Sequence, residues 1–295
     1  MPRRASVVLG GSLLCATQVC SCLPADTRST PGSLVVNVTG DESLSGAGFT
    51  TSDGWNIRFS RFLVVPGEVK LDGDGCEQYS DNGYHRVLDL SRPGPQLLAL
   101  VYGLGPCDFS FRVSTPTWDS VLGIGVGERD LDALRTPGTD AHASGIGVSV
   151  WIEGTAEAHG VSKRFSWPFR RFIQYDHCAV GAGDTLERGQ VLRSGEDAVI
   201  ELSVRGDALF AFPDTTTMFE RFRAADDDFG DADGEVSLDE LERVPWTGQP
   251  DPEGPAFVTL GEHVYLGVLP RVIRYRGTGE CQVRASASEL DDEGF

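Results

Sequence analysis

The chain has 295 residues, 44 acidic against 25 basic side chains, and a formal charge of −19. A surface this acidic repels phosphate backbones and anionic lipid heads, and no basic groove is legible, so nucleic acid is not an expected partner. The length suits one large domain or two small ones. Lysine occurs only at Lys70 and Lys163, and the other basic residues are arginine.

Met1-Pro2-Arg3-Arg4 is a short basic segment, and Ala5 to Val19 is an uncharged, mostly apolar run. That run is too short to span a membrane as a helix and has the form of a secretory signal peptide. Among Cys15, Cys20 and Cys22, only Cys22 has a suitable preceding triplet, Val19-Cys20-Ser21, which resembles a bacterial lipobox. The resemblance implies cleavage after residue 21 and lipidation of Cys22, with residues 22–32 as a tether. The protein would then be an exported lipoprotein held in the bacterial cell envelope, at the outer membrane, by acyl chains. Ordinary secretion with cleavage near Ala25 is the alternative.

Residues 33–213 read as short strands separated by Gly, Pro and Asp. Leu34–Val38 opens the series, and Trp55–Phe59 alternates apolar and polar as a half-buried strand does. Phe62–Val65, Glu68–Leu71, Gln96–Tyr102 and Asp108–Val113 follow. Val148–Ile152, Phe165–Phe169 and Val199–Val204 complete the set. Pro168 lacks a donor for a ladder, which predicts an edge or a bulge there. The expected class is mainly β with a small α part, an antiparallel β-sandwich-like domain. Four cysteines fall in this body and beyond it: Cys76, Cys107, Cys178 and Cys281. An even number in an exported chain predicts two disulfides, with three possible pairings. Cys76–Cys107 with Cys178–Cys281 is preferred, because each pair flanks strand-like runs that could be neighbours.

Past residue 213 the period changes. Asp214–Thr217 offers helix caps, and Met218, Phe219, Phe222 and Ala225 recur at helical intervals. Leu238, Leu241 and Val244 share a second helical face that stops at Pro245. Residues 214–247 therefore read as a helix–loop–helix inserted in the β domain. Residues 255–283 read as a return helix and strand, with Thr259–Leu269 helical, and residues 284–295 as a disordered acidic tail.

Between the two helices stands Asp231-Ala-Asp233-Gly234-Glu235-Val236-Ser237-Leu238-Asp239-Glu240. Carboxylates alternate, a glycine follows at the sharp turn, an apolar residue comes two later, and a Glu closes the run. This stretch resembles an EF-hand calcium loop, whose spacing wraps oxygen ligands around one hard cation. The resemblance implies ligands from Asp231, Asp233, the Glu235 carbonyl, Ser237 and Glu240. The first ligand position falls on Phe229, which cannot ligate through its side chain, so a lengthened loop with Asp228 or Asp226 in that place is expected. Calcium is the expected cofactor, in a lone site with a structural or binding role.

Two other readings stay open. Scattered His, Trp and Tyr could assemble a copper site in a redox-handling periplasmic protein. A hydrolase could gather His85, His142, His177 and nearby acids in one pocket, although no nucleophile elbow, HExxH or phosphate loop is present. No catalytic motif appears, so the chain is not expected to be an enzyme.

Overall fold

The computed structural model describes residues 29–80, 82–138, 146–182, 185–212, 216–247 and 256–286. The expected signal peptide, Cys22 and His142 lie outside the described residues. The principal strands are β1 (Gly32–Gly40), β2 (Asn56–Val64), β3 (Pro66–Asp72), β4 (Asn82–Asp89) and β5 (Gln96–Val113). The α1 helix (Glu128–Arg135) precedes β6 (Val150–Ala158), β7 (Val161–Phe169), β8 (Phe172–Val180) and β9 (Asp197–Val204). Then come α2 (Glu220–Asp227), β10 (Glu235–Val236), α3 (Leu238–Leu241), β11 (Ile273–Tyr275) and β12 (Glu280–Ser286).

The protein is mainly β, but its strands join in one large mixed sheet that includes parallel pairings, rather than the purely antiparallel arrangement expected. One run of neighbours is β11–β9–β1–β5, and a second is β5–β3–β4–β2–β6–β7–β10. β5 joins them. Its first half pairs with β1, and its second half lies between β3 and β8. Gln96–Tyr102 and Asp108–Val113, expected as two strands, are thus one strand of 18 residues. Gly105 carries the chain through at φ +95°, where an added Cβ would meet the Gly75 carbonyl oxygen at 2.1 Å. A side chain there is barred by backbone, so the glycine serves close approach rather than a turn.

β1 and β9 pair in parallel, from Ser33 opposite Asp197 to Gly40 opposite Val204. Parallel neighbours need a long crossover, and here the connection is most of the domain. Residues 216–247 follow β9 and touch the sheet through β10 beside β7, and the chain then returns through β11 beside β9 and β12 beside β8. The start of the expected disordered tail, up to Ser286, is therefore strand. Disulfides join Cys76 to Cys107 and Cys178 to Cys281. Such bonds belong to oxidising compartments, which places the protein among extracellular or exported chains. No helix among the described residues is long and apolar enough to cross a membrane.

The main core is aromatic. Phe210 lies within 6.3 Å, centroid to centroid, of Phe49, Phe59, Phe165, Trp167, Phe219 and Phe222. Phe59 lies on β2, Phe165 and Trp167 on β7, Phe222 on α2 and Phe219 just ahead of that helix, so the helix before the acidic loop is held to the sheet by ring packing. A smaller cluster, Leu63, Val65, Val87, Leu131, Leu134 and Val148, lies under α1.

The expected helix over Thr259–Leu269 is present but irregular. It starts as one α turn, Leu260–Glu262, widens into a π-helical turn, His263–Val268, and ends as a 3-10 turn, Leu269–Arg271. His263 lies against the Trp246 ring at 3.8 Å and is buried. Burial, aided by Arg221 and Arg271 and opposed by the Ala211 carbonyl, pushes the His263 imidazole down to about 4. Its ordinary value is near 6.5, so between pH 6.5 and 4 the unfolded chain takes up a proton that the folded one refuses. Stability should therefore fall as pH drops through that window, by roughly 3 kcal/mol in all. Urea unfolding at pH 7.5 and pH 4.5 checks this. A His263→Leu variant should lose this part of the acid sensitivity, and an unchanged pH slope in that variant would refute the assignment.

Candidate metal centre

α2 starts without a side-chain cap of its own. Asp53, from the turn before β2, supplies it: Oδ2 accepts the Phe219 N–H at 2.9 Å and the Glu220 N–H at 2.8 Å. The two donors are among the orphan N–H groups that every helix start presents. The helix buries Phe222, Ala225 and Asp226, a face at i, i+3 and i+4. The same periodicity that packs the two apolar residues thus carries the Asp226 carboxylate inward, where it is 0% exposed.

The chain then bends back around that carboxylate. Ala232 at φ +56° and Gly234 at φ +86° are the two left-handed residues of the loop. The Ala232 N–H donates to the Asp226 carbonyl at 3.1 Å, and the Gly234 N–H donates to Asp226 Oδ2 at 3.0 Å. Asp226, Asp231 and Asp233 each place a carboxylate oxygen so that all three lie within 4.8 Å of one another. Among the described residues they are the one group of three or more acidic, His or Cys side chains this close. Asp226 Oδ1 is buried and has no hydrogen-bond partner.

Beyond the turn, β10 lies parallel to β7, with Arg164 opposite Glu235 and Phe165 opposite Val236. The Arg164 N–H donates to the Gly234 carbonyl at 2.9 Å, and the Trp167 indole N–H to the Val236 carbonyl at 2.8 Å. Ser237 caps α3: its Oγ accepts the Glu240 N–H at 3.3 Å, while Glu240 Oε2 accepts the Ser237 N–H at 2.9 Å. This reciprocal pair is a capping box. Glu240 Oε1 also accepts the Asp231 N–H at 3.4 Å, so its buried carboxylate closes the loop against the backbone. Gly230 makes room for it, since a Cβ there would stand 1.9 Å from Glu240 Oε1.

The expected ligands therefore divide. Asp226, Asp231 and Asp233 converge. Asp228 points away, 61% exposed and 4.0 Å from Arg223. Glu235 faces Arg164 at 3.7 Å with its side chain, which leaves only its carbonyl for the expected role. Ser237 and Glu240 sit at the loop's end in the capping box. Of Asp226 and Asp228, only Asp226, three residues ahead of Phe229, converges with Asp231 and Asp233.

Lys163 on β7 was not expected in the site. Its Nζ donates to Asp226 Oδ2 at 2.5 Å and to Asp227 Oδ1 at 2.5 Å. Burial works against its charge, but the hydrogen bonds it donates to Asp226 and Asp227 outweigh it and hold the ammonium above its ordinary range. Lys163 in turn holds the Asp227 carboxyl below the usual carboxylate range, with help from Arg223. A signal for Lys163 exists in the sequence: Lys163, Phe165, Trp167 and Phe169 alternate on one face of a strand, and the last three are bulky and apolar. A lysine in register with them points into the core.

The histidines do not converge. His85, buried, meets Ser114 Oγ at 2.7 Å. His177 sits at φ +46° in the β8 bulge and meets Asp108 Oδ2 at 3.1 Å. It lines a polar cleft of about 360 Å³ with Asp72, Ser110, Asp176, Gln282 and Arg284. The two described histidines of the hydrolase reading are thus in separate places. The copper reading finds no His or Cys cluster among the described residues. Compared with known proteins, the chain matches no family model, no curated sequence and no solved structure.

Proposed function

We propose that residues 226–240 form a calcium site that clamps the α2–loop–α3 unit to the edge of an exported β protein. The observation that carries this reading is Asp226 Oδ1. It is a buried oxygen without a hydrogen-bond partner, on a carboxylate that converges with two others. A buried charged oxygen left unpaired is costly, and a cation is the natural partner for three converging carboxylates. The donor set is all oxygen and all anionic, which suits a hard ion such as calcium better than copper or zinc.

The loop follows the EF-hand resemblance with three residues added at its start. Where a second loop would pair in a two-site protein, the sheet strand β7 pairs instead, through Arg164 and Phe165. A lone site with two exposed acids, Asp231 and Asp233, belongs to the weak, structural end of the calcium range. Disulfides support an exported location. Anchoring to the cell envelope through a lipidated Cys22 completes the reading and rests on the lipobox resemblance alone.

Thermal melting in calcium chloride against magnesium chloride tests it. Calcium at about 100 times its Kd should add about 2.7 kcal/mol of stability and raise the melting temperature. The Asp231→Asn/Asp233→Asn double variant, altered only at exposed carboxylates, should fold and lose the calcium increment. An equal increment in that variant, or none in the wild type, would remove the proposal.

A further inference from the structure

Lys163 reaches the loop from the sheet, not from either helix. β7 turns it inward with Phe165, Trp167 and Phe169, and all four are buried. Its Nζ lies 2.5 Å from Asp226 Oδ2 and 2.5 Å from Asp227 Oδ1. A monovalent cation is therefore built into the protein beside the fully buried carboxylate of Asp226. The two oxygens of Asp226 are used differently. Oδ2 accepts from Lys163 and from the Gly234 N–H, whereas Oδ1 accepts from nothing.

Resting on the calcium reading of this loop, we propose that Lys163 is its resident counter-ion. Lys163 keeps Asp226 Oδ2 while calcium takes Oδ1, so it weakens calcium binding and holds the calcium-free loop folded. The loop is then ordered before the ion arrives, and calcium tightens it rather than nucleating it.

Two effects of Lys163 oppose each other, and magnitude decides between them. As a group that orients a ligand, it should favour binding, and losing such a group typically costs about 10- to 100-fold in metal affinity. As a positive charge roughly 5 Å from a divalent ion, it opposes binding by well over a hundredfold at an effective dielectric of about 20. The Gly234 N–H still holds Oδ2 when Lys163 is gone, which limits the orienting loss. The repulsion wins. Removing the ammonium should tighten calcium binding and loosen the calcium-free protein.

Calorimetric titration of calcium chloride into the full chain and its Lys163→Met variant tests this. The variant should bind calcium at least about tenfold more tightly and melt at a lower temperature without calcium. Equal or weaker binding by the variant, with the wild type binding, overturns the counter-ion role and leaves the calcium reading standing. No binding by either protein overturns both. Should the variant not fold, lysine acylation of the wild type decides, because Lys70 and Lys163 are the only lysines and Lys70 is exposed. Lys163 should stay shielded at calcium concentrations that saturate the heat signal, with Lys70 labelled throughout. Calcium-dependent labelling of Lys163 would show that the ion displaces it, and would overturn the proposal.

Discussion

Replacing Asp226 with alanine should lower the stability of the calcium-free protein by about 3–5 kcal/mol, a large fraction of the total for a domain. The carboxylate is fully buried and is the hub of the loop. It accepts from Lys163 and from the Gly234 N–H, and its own carbonyl accepts the Ala232 N–H. Removing it strands a buried ammonium, and an uncompensated buried charge is the costly product of breaking such a pair. Asp227 remains beside Lys163 and keeps the loss toward the lower end of that range. The cost should also be non-additive. In Lys163→Met the stranded charge is gone, so Asp226→Ala should cost at least about 1 kcal/mol less in that background. Urea unfolding of the four proteins of this cycle measures the coupling. Strictly additive losses would mean that Lys163 and Asp226 do not act as a pair.

The second large effect comes from the disulfides. Cys178–Cys281 closes a loop 103 residues apart in sequence, and Cys76–Cys107 one of 31. In the chain-entropy account the longer loop is worth about 4.7 kcal/mol and the shorter about 3.7 kcal/mol. Cys178→Ala/Cys281→Ala should therefore destabilise more than Cys76→Ala/Cys107→Ala. The structure adds a reason. Cys178 is in β8 and Cys281 in β12, so this bond ties the strand that follows the acidic loop and the 260–271 helical turns back to β8. The bond on β5 reinforces a local approach of Gly75 to Gly105. Denaturant unfolding of the two double variants orders them, and a larger loss from the shorter loop would contradict this account.

Much of the sheet is legible in the alternation of single segments. Asn56–Phe59 and Asp108–Val113 read correctly because one face of each is buried, and the period of two then shows directly. What local pattern hides is which strands meet. The parallel pairing of β1 with β9 joins residues over 160 positions apart, and no turn signal marks it. The Gly103–Pro106 stretch has the composition of a turn, yet β5 runs through it, because backbone approach and not chain reversal is what the glycines serve there. The disulfide pairing was accessible because each cysteine flanks strand-like runs. The mainly β class is legible, but the parallel pairings are not, since the spacing of short strands reports strand content and not strand direction.

The site divides in the same way. Asp226 is legible as a member of the α2 face, at i+4 from Phe222, and Asp231 and Asp233 through their spacing from Gly234. Asp53 is not legible, because it caps α2 from a turn 166 residues away. Lys163 lies between. Its alternation with Phe165, Trp167 and Phe169 points it inward, but nothing local says that its partner is Asp226 on a helix 63 residues later. Contacts that depend on the sheet edge meeting the loop need the tertiary structure.

Calcium titration of the chelator-treated full chain by calorimetry decides between a calcium site and an acidic turn. Saturable binding of one calcium per chain is expected, with Kd in the range of about 10⁻⁴ to 10⁻³ M and no comparable heat from magnesium. No saturable heat up to concentrations of about 10 mM calcium would contradict it, and would leave the three carboxylates as an acidic turn balanced by Lys163 alone.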